Sequence, residues 1–500
     1  MLKFPIQLRK NMRIIGIFLL IASLSACDLF RQAQRNERVY DDEEEIGELT
    51  GQKVYNEETG RYEVIQEPVG KMDTVQWTVV EGNPIVSETE KTGGATGNTT
   101  GVATGEDDPN TEYKDRYRLT LALPFVTSRN QGLQENGVYE NSKWALQFYA
   151  GAKIALRELA DDGMTLDVRV VDTEASAQEM RNLIATDFDL QNSDLIIGPY
   201  RRENAQLLAD FGKANRKIVV SPYTASSNVT RANPYYLQVN PSLTSHLDAL
   251  LEHAKARYDD AQIVLIIPDT DENRSLGRYL QLANQRIEGR SDVEMLREVF
   301  VDAQDLSMER LNLQPYFDET RETIFIVPVY RSENFVASLM RKLKVAAAPK
   351  VVNGVPGPPK PVVVYGMPQW RDYSRVDIND YENLNVHISA TDYMDRSNPA
   401  TLEFREAFYR ETGALPTAPA YQGYDIVTYF GKMLREHGTQ FQPWLEREPA
   451  DLLHTRFNIQ RALATDPNGN AETTEPGVEY WENKAVFILK FENYEFVPAR

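Results

Sequence analysis

The chain has 500 residues, a single cysteine, and 74 Asp and Glu against 54 Lys and Arg, for a formal charge of −20. That balance argues against a nucleic-acid partner and against a surface held to anionic lipid by charge alone. A lone cysteine excludes a disulfide framework, so stability must come from an ordinary hydrophobic core, for which the length allows two or three domains.

In chain order, a basic stretch (Lys3, Arg9, Lys10, Arg13) precedes an apolar run from Ile14 to Ala22. The run is too short to span a bilayer, and with small residues after it the layout is that of a removable export signal. From Asp28 to about Asp115 aliphatic residues are few. An acidic run, Asp41 to Glu45, is followed by a Gly/Thr tract from Thr92 to Gly105. Such a segment cannot bury enough apolar surface to offset its ordering entropy and is expected to be a disordered tether. Only Thr74 to Val80 has strand character.

After Arg116 short apolar runs alternate with stretches of 3.6-residue periodicity. Strands are expected at 118–125, 166–172, 194–198 and 217–221, with helices at 142–160, 177–190 and 202–214 between them. A second series follows: strand 262–268, helix 274–287, strand 293–301, helix 307–317, strand 323–328, helix 333–345 and strand 361–366. Alternating β and α with fully apolar strands predicts an α/β protein of two lobes, each a doubly wound parallel sheet covered on both faces. Residues 236–240 and 386–391 are the expected crossings between lobes, and helices 399–411 and 421–437 return the chain to the first. The expected division is a leader over 1–26 and a tether over 27–115. The first lobe then takes 116–240 with 386–438, the second 241–385, and an extension over 439–500 packs on both.

The junction Leu24-Ser25-Ala26-Cys27 resembles the lipobox of bacterial lipoproteins. The resemblance implies cleavage before Cys27 and lipid on its thiol, and two or three acyl chains anchor stably where one does not. Loss of the leader's four basic residues takes the charge to −24, so the membrane contact falls to the lipid.

The body resembles the type I periplasmic binding proteins of the leucine/isoleucine/valine-binding group. The matching residues are Gly151 to Leu156, Val171-Asp172-Thr173, Ile196-Ile197-Gly198-Pro199, Val220-Ser221-Pro222, Asn233-Pro234-Tyr235-Tyr236 and Ala420 to Asp425. In open α/β sheets ligands bind beyond the carboxyl ends of strands. There this chain carries Tyr200, Arg201, Arg202, Ser221, Tyr223 and Thr224 on the first lobe and Tyr330 and Gln369 on the second, the candidate ligand-binding set. The resemblance implies a carboxylate-binding serine where Arg201, Arg202 and Glu203 stand, and an ammonium-binding acid near Gly366, where Met367, Pro368 and Gln369 stand. A free amino acid would then leave its ammonium desolvated without a counter-charge. The two arginines point instead to an anionic or neutral polar solute.

The chain is also similar to outer-membrane lipoproteins that bind and activate penicillin-binding peptidoglycan synthases. Two functions follow as expectations: a lipid-anchored, non-catalytic solute-binding protein of the cell envelope, or a regulatory lipoprotein that contacts envelope enzymes, with the outer membrane favoured over the inner. The five histidines show no metal-ligand spacing, and there is no nucleophile turn, Walker loop or Gly-x-Gly-x-x-Gly in the body. No cofactor, metal or catalytic residue is expected.

Overall fold

The computed structural model describes residues 108–130, 137–258, 261–318, 321–349, 360–463 and 478–499, with the paired strands 52–56/61–65 and 351–352/355–357. The leader, Cys27 and all of the tether before residue 108, apart from those first two strands, lie outside the described residues. Within the tether Gln52–Asn56 pairs antiparallel with Arg61–Ile65.

Period-two alternation explains why the first lobe needs helices on both faces of its sheet. Leu195 and Ile197 share one core with Leu119, Leu121, Phe148 and Phe430. Their neighbour Ile196 belongs to the other, with Ala122, Leu208 and Val219. The sheet has seven strands in the order Ile459–Leu463, Val478–Asn483, Tyr236–Gln238, Ile218–Ser221, Leu195–Ile197, Tyr117–Leu123 and Leu166–Asp172. All neighbours are parallel except the first pair.

The second sheet also has seven strands: Glu495–Pro498, Phe487–Glu492, Val386–Ala390, Val362–Gly366, Thr323–Ile326, Gln262–Pro268 and Arg297–Val301. Phe487–Glu492 runs antiparallel to both its neighbours, and all other neighbouring pairs are parallel. Local signals set where the helices begin: Ser176, Ser242, Thr270 and Ser332 each accept a backbone N–H three residues on. Gly289 and Gly413 end two helices in the left-handed conformation.

Three expectations are corrected. Val386–Ala390, expected with the first lobe, is a strand of the second sheet; the crossings are the segments that follow Gln238 and Ala390. The C-terminal extension supplies strands to both sheets and makes a third crossing between Asn483 and Phe487. Finally, no helix spans 307–317. Asp305 accepts from the backbone N–H and hydroxyl of Ser307, Asn312 accepts from Gln314 N, and Pro315 cannot donate. Only a 3-10 turn, Gln314–Tyr316, forms, because such side-chain bonds compete with the helix ladder.

The ordered body starts earlier than Asp115. Thr111 donates to His437 O at 3.0 Å, Glu112 N to Thr439 Oγ1 at 3.0 Å, and Lys114 pairs with Asp194 at 2.8 Å.

Candidate functional site

Two glycines set the geometry at the mouth of the first lobe. A Cβ on Gly151 would stand 1.8 Å from Ala420 O, and one on Gly423 2.1 Å from Phe148 O. Helices Lys143–Asp161 and Ala418–His437 therefore meet backbone to backbone, with a glycine supplied by each. Their close contact puts Trp144, at the start of one, beside Ala418, Pro419 and Gln422, at the start of the other. With Tyr223, Val239, Asn240, Thr391, Asp392, His454 and Thr455 these residues line a pocket of about 80 Å³ beside the crossings.

One wall is aromatic. Tyr200 and Tyr223 stack at 4.0 Å between ring centroids, and Trp144 meets Tyr200 edge-on at 4.8 Å. The turn that carries Tyr223 is held from two sides: Asn240 Nδ2 donates to Tyr223 O at 2.6 Å, and Gln422 Nε2 to Pro222 O at 2.9 Å.

The other wall is polar. Asp392 accepts from Thr391 Oγ1 at 3.0 Å and from Arg371 Nη1 at 3.2 Å, and His454 Nε2 lies 3.5 Å away. Burial opposes the charge on Asp392, but His454, Arg371 and the Thr391 hydroxyl outweigh it and hold the carboxyl down to about 2. His454 is shifted below its ordinary value by burial, against the pull of Asp392. It is presented by a loop tied to Asp425, which accepts the backbone N–H groups of Leu453, His454 and Thr455 at 3.1, 2.9 and 2.8 Å. Burial pushes the Asp425 carboxyl up to about 7 despite those three bonds.

Of the residues expected to bind ligand, Tyr223 is part of the lining, Tyr200 stacks on it from outside the lining, and Thr224 and Ser221 are buried. Arg201 and Arg202 are exposed at the start of helix Arg202–Asn215 and outside the lining, and Arg202 bonds Asn228 Oδ1 at 2.5 Å. Tyr330 and Gln369 are also outside it. Tyr330 donates to Glu272 at 3.0 Å, and Gln369 is buried in the turn Pro368–Asp372. Trp144, Asp392 and His454 escaped sequence reasoning. The signal for Asp392 was its position just past a strand end at a crossing. Among the described residues no cluster of three or more His, Cys, Asp or Glu could hold a metal ion.

Two parallel-dominated lobes, three crossings and a pocket at the hinge define the class: a two-lobed type I periplasmic-binding fold. The model of the receptor family ligand binding region matches residues 149–473, and the chain belongs to that family. A putative branched-chain amino acid ABC transporter protein from Rhodospirillum rubrum is 15% identical, with 77% of this chain and all of that one covered at a TM-score of 0.50. An ABC transporter substrate-binding protein from Desulfitobacterium hafniense, solved with Leu, is 16% identical over 77% of this chain and all of that one, at 0.46. Full-length LpoA from Haemophilus influenzae is 14% identical over 78% of this chain and 60% of that one, also at 0.46. No curated protein matches the chain in sequence.

Proposed function

We propose that the protein is a lipid-anchored, non-catalytic ligand-binding protein of the cell envelope that takes a small solute at the hinge pocket. The observation that carries this reading is the lining: the first lobe, two crossings and the loop held by Asp425 converge on one space. A ligand there touches the segments that join the lobes, so its contacts differ between lobe angles and its binding shifts their populations. Arg371, from the second lobe, already reaches Asp392 on a crossing and is a ready sensor of such a shift. The anchor is the lipid on Cys27, and the outer membrane is the proposed location. Among the described residues no helix is long and apolar enough to cross a membrane.

The small pocket volume favours a second reading, in which the lobes are a scaffold for an envelope protein such as a peptidoglycan synthase. Mass spectrometry of small molecules released from the mature protein separates the two. A single solute near one per chain is expected; no solute, with cross-linking to one envelope enzyme, supports the scaffold. Cys27→Ala is expected to release the protein from membranes or block its processing. A processed alanine variant that still sediments fully with membranes refutes the anchor.

A further inference from the structure

Resting on the solute-binding reading above, we infer that the hinge pocket selects small amines that carry no carboxylate, with Asp392 as counter-charge and the rings of Trp144 and Tyr223 as the wall. The sign of the charge is the first argument. Asp392 is the one carboxylate among the lining residues, and no lysine or arginine is among them. Its partner Arg371 is not part of the lining; it binds Oδ2 through Nη1 and the Asp392 carbonyl through Nη2, both at 3.2 Å. What faces the pocket is therefore the negative end of that pair. Among the described residues Oδ1 accepts the Thr391 hydroxyl, and a carboxylate with about four acceptor sites keeps room for an ammonium.

The second argument is what a ligand carboxylate would lack. Arg201 and Arg202, the cations that sequence reasoning offered to an anion, are outside the lining. The start of helix Ala418–His437 does reach the pocket, but it holds no cluster of open donors. Pro419 has no N–H, those of Ala420 and Tyr421 turn back to Thr417 O, and Thr417 N donates to Gln147. A carboxylate would meet Asp392 with no compensating charge, whereas an amine gains from Asp392 and from the ring faces. The pocket thus excludes by charge the zwitterion that its fold would otherwise suit. The volume, about 80 Å³, fits a charged head with a short apolar chain.

Isoamylamine, leucine and isovalerate share one side chain and differ only in their charged groups, so calorimetric titration of the mature protein with all three isolates the charge. Isoamylamine is expected to bind at least about tenfold tighter than leucine, with isovalerate showing no heat. Asp392→Asn should weaken the amine about tenfold or more. Trp144→Ala, which leaves the ion pair untouched, should weaken it as well when affinity is measured on protein that circular dichroism shows to be folded, at a lower melting temperature because the indole also packs on Phe148. Leucine or isovalerate binding as tightly as the amine overturns the amine class and leaves the solute receptor standing. Absence of binding by the amine up to millimolar concentration also overturns it. If no solute is released from the purified protein either, the receptor reading falls with it.

Discussion

The carboxyl ends of the two sheets present opposite kinds of surface. On the first lobe the partly exposed Trp144 and Tyr223 line the pocket, and Tyr200 stacks on Tyr223 and meets Trp144 edge-on. On the second lobe the aromatic residues in the corresponding places are tied into their own core. Trp370 is 0% exposed, donates through Nε1 to Val329 O at 2.7 Å, and accepts at its carbonyl from Tyr381 OH at 2.7 Å. Its ring lies where a Cβ on Gly366 would stand, 2.2 Å away. Tyr330, 7% exposed, spends its hydroxyl on Glu272. A strand-end position offers a residue to a ligand; whether it is taken up depends on whether its polar atoms and faces already have partners. By that test the proposed recognition surface falls on the first lobe and the hinge, and the strand-end aromatics of the second lobe belong to its core.

The largest test of that contrast is Trp370→Ala. Removing a fully buried indole is expected to cost about 3–5 kcal/mol, read as a lower denaturation midpoint, with ligand affinity of the folded fraction unchanged. A loss of affinity with stability preserved would place Trp370 in the recognition surface and break the comparison.

Acid should separate the lobes next. In the second lobe burial pushes His246 down to about 3, against the pull of Glu482, and His387 down to about 4, against the Asn385 carbonyl. Both are neutral when folded, so their stability is complete above the unfolded value near 6.5 and is lost as pH falls from there toward 4 and 3. At pH 5 this amounts to roughly 2 kcal/mol for each. Asp425 in the first lobe has the opposite sign. With its carboxyl raised to about 7, the cost of its charge is complete above pH 7 and is relieved as pH falls toward the unfolded value near 4. Hydrogen exchange at pH 5 and pH 7.5, corrected for intrinsic rates, should show strands Thr323–Ile326 and Val362–Gly366 less protected in acid and helix Ala418–His437 no less protected. Equal loss of protection in both lobes would show that these buried groups do not govern the response.

Most of the frame was legible because the central parallel strands, such as Leu195–Ile197 and Val362–Gly366, are apolar throughout and several helices bring their own caps, so sequence-local rules suffice. The C-terminal strands were not legible. Val478–Asn483 lies beside Tyr236–Gln238, with Trp481 opposite Leu237, a pairing across almost half the chain that no local pattern announces. The site divided in the same way. Tyr223, in the lining, follows a strand and could be found by rule. Trp144 reads as an ordinary helix start until Gly151 and Gly423 bring the two helices together. His454 reads as a scattered histidine until Asp425 gathers the backbone of its loop. Arg201 and Arg202 stand at a helix start just past a strand, a place that suits an anion; nothing in the sequence shows that they lie outside the pocket lining or that Arg202 reaches to Asn228.

The finest test compares two tyrosines at matching places. Tyr330→Phe removes only the hydroxyl that donates to Glu272, and Arg331, 3.6 Å from the same carboxylate, stays to hold it. The expected cost is about 1 kcal/mol of stability, with no change in affinity for isoamylamine. Tyr223→Ala should do the reverse. Its ring is half-buried against Tyr200 and Trp144, and the turn beneath it is held through backbone oxygens by Asn240 and Gln422, so truncation keeps those bonds. Affinity should fall about tenfold as one face of the cation's wall is lost, since such contacts contribute about 0.5–2 kcal/mol. Parallel melting curves and titrations of the two variants read both quantities. If Tyr330→Phe weakens the ligand and Tyr223→Ala does not, the assignment of recognition to the first lobe is reversed.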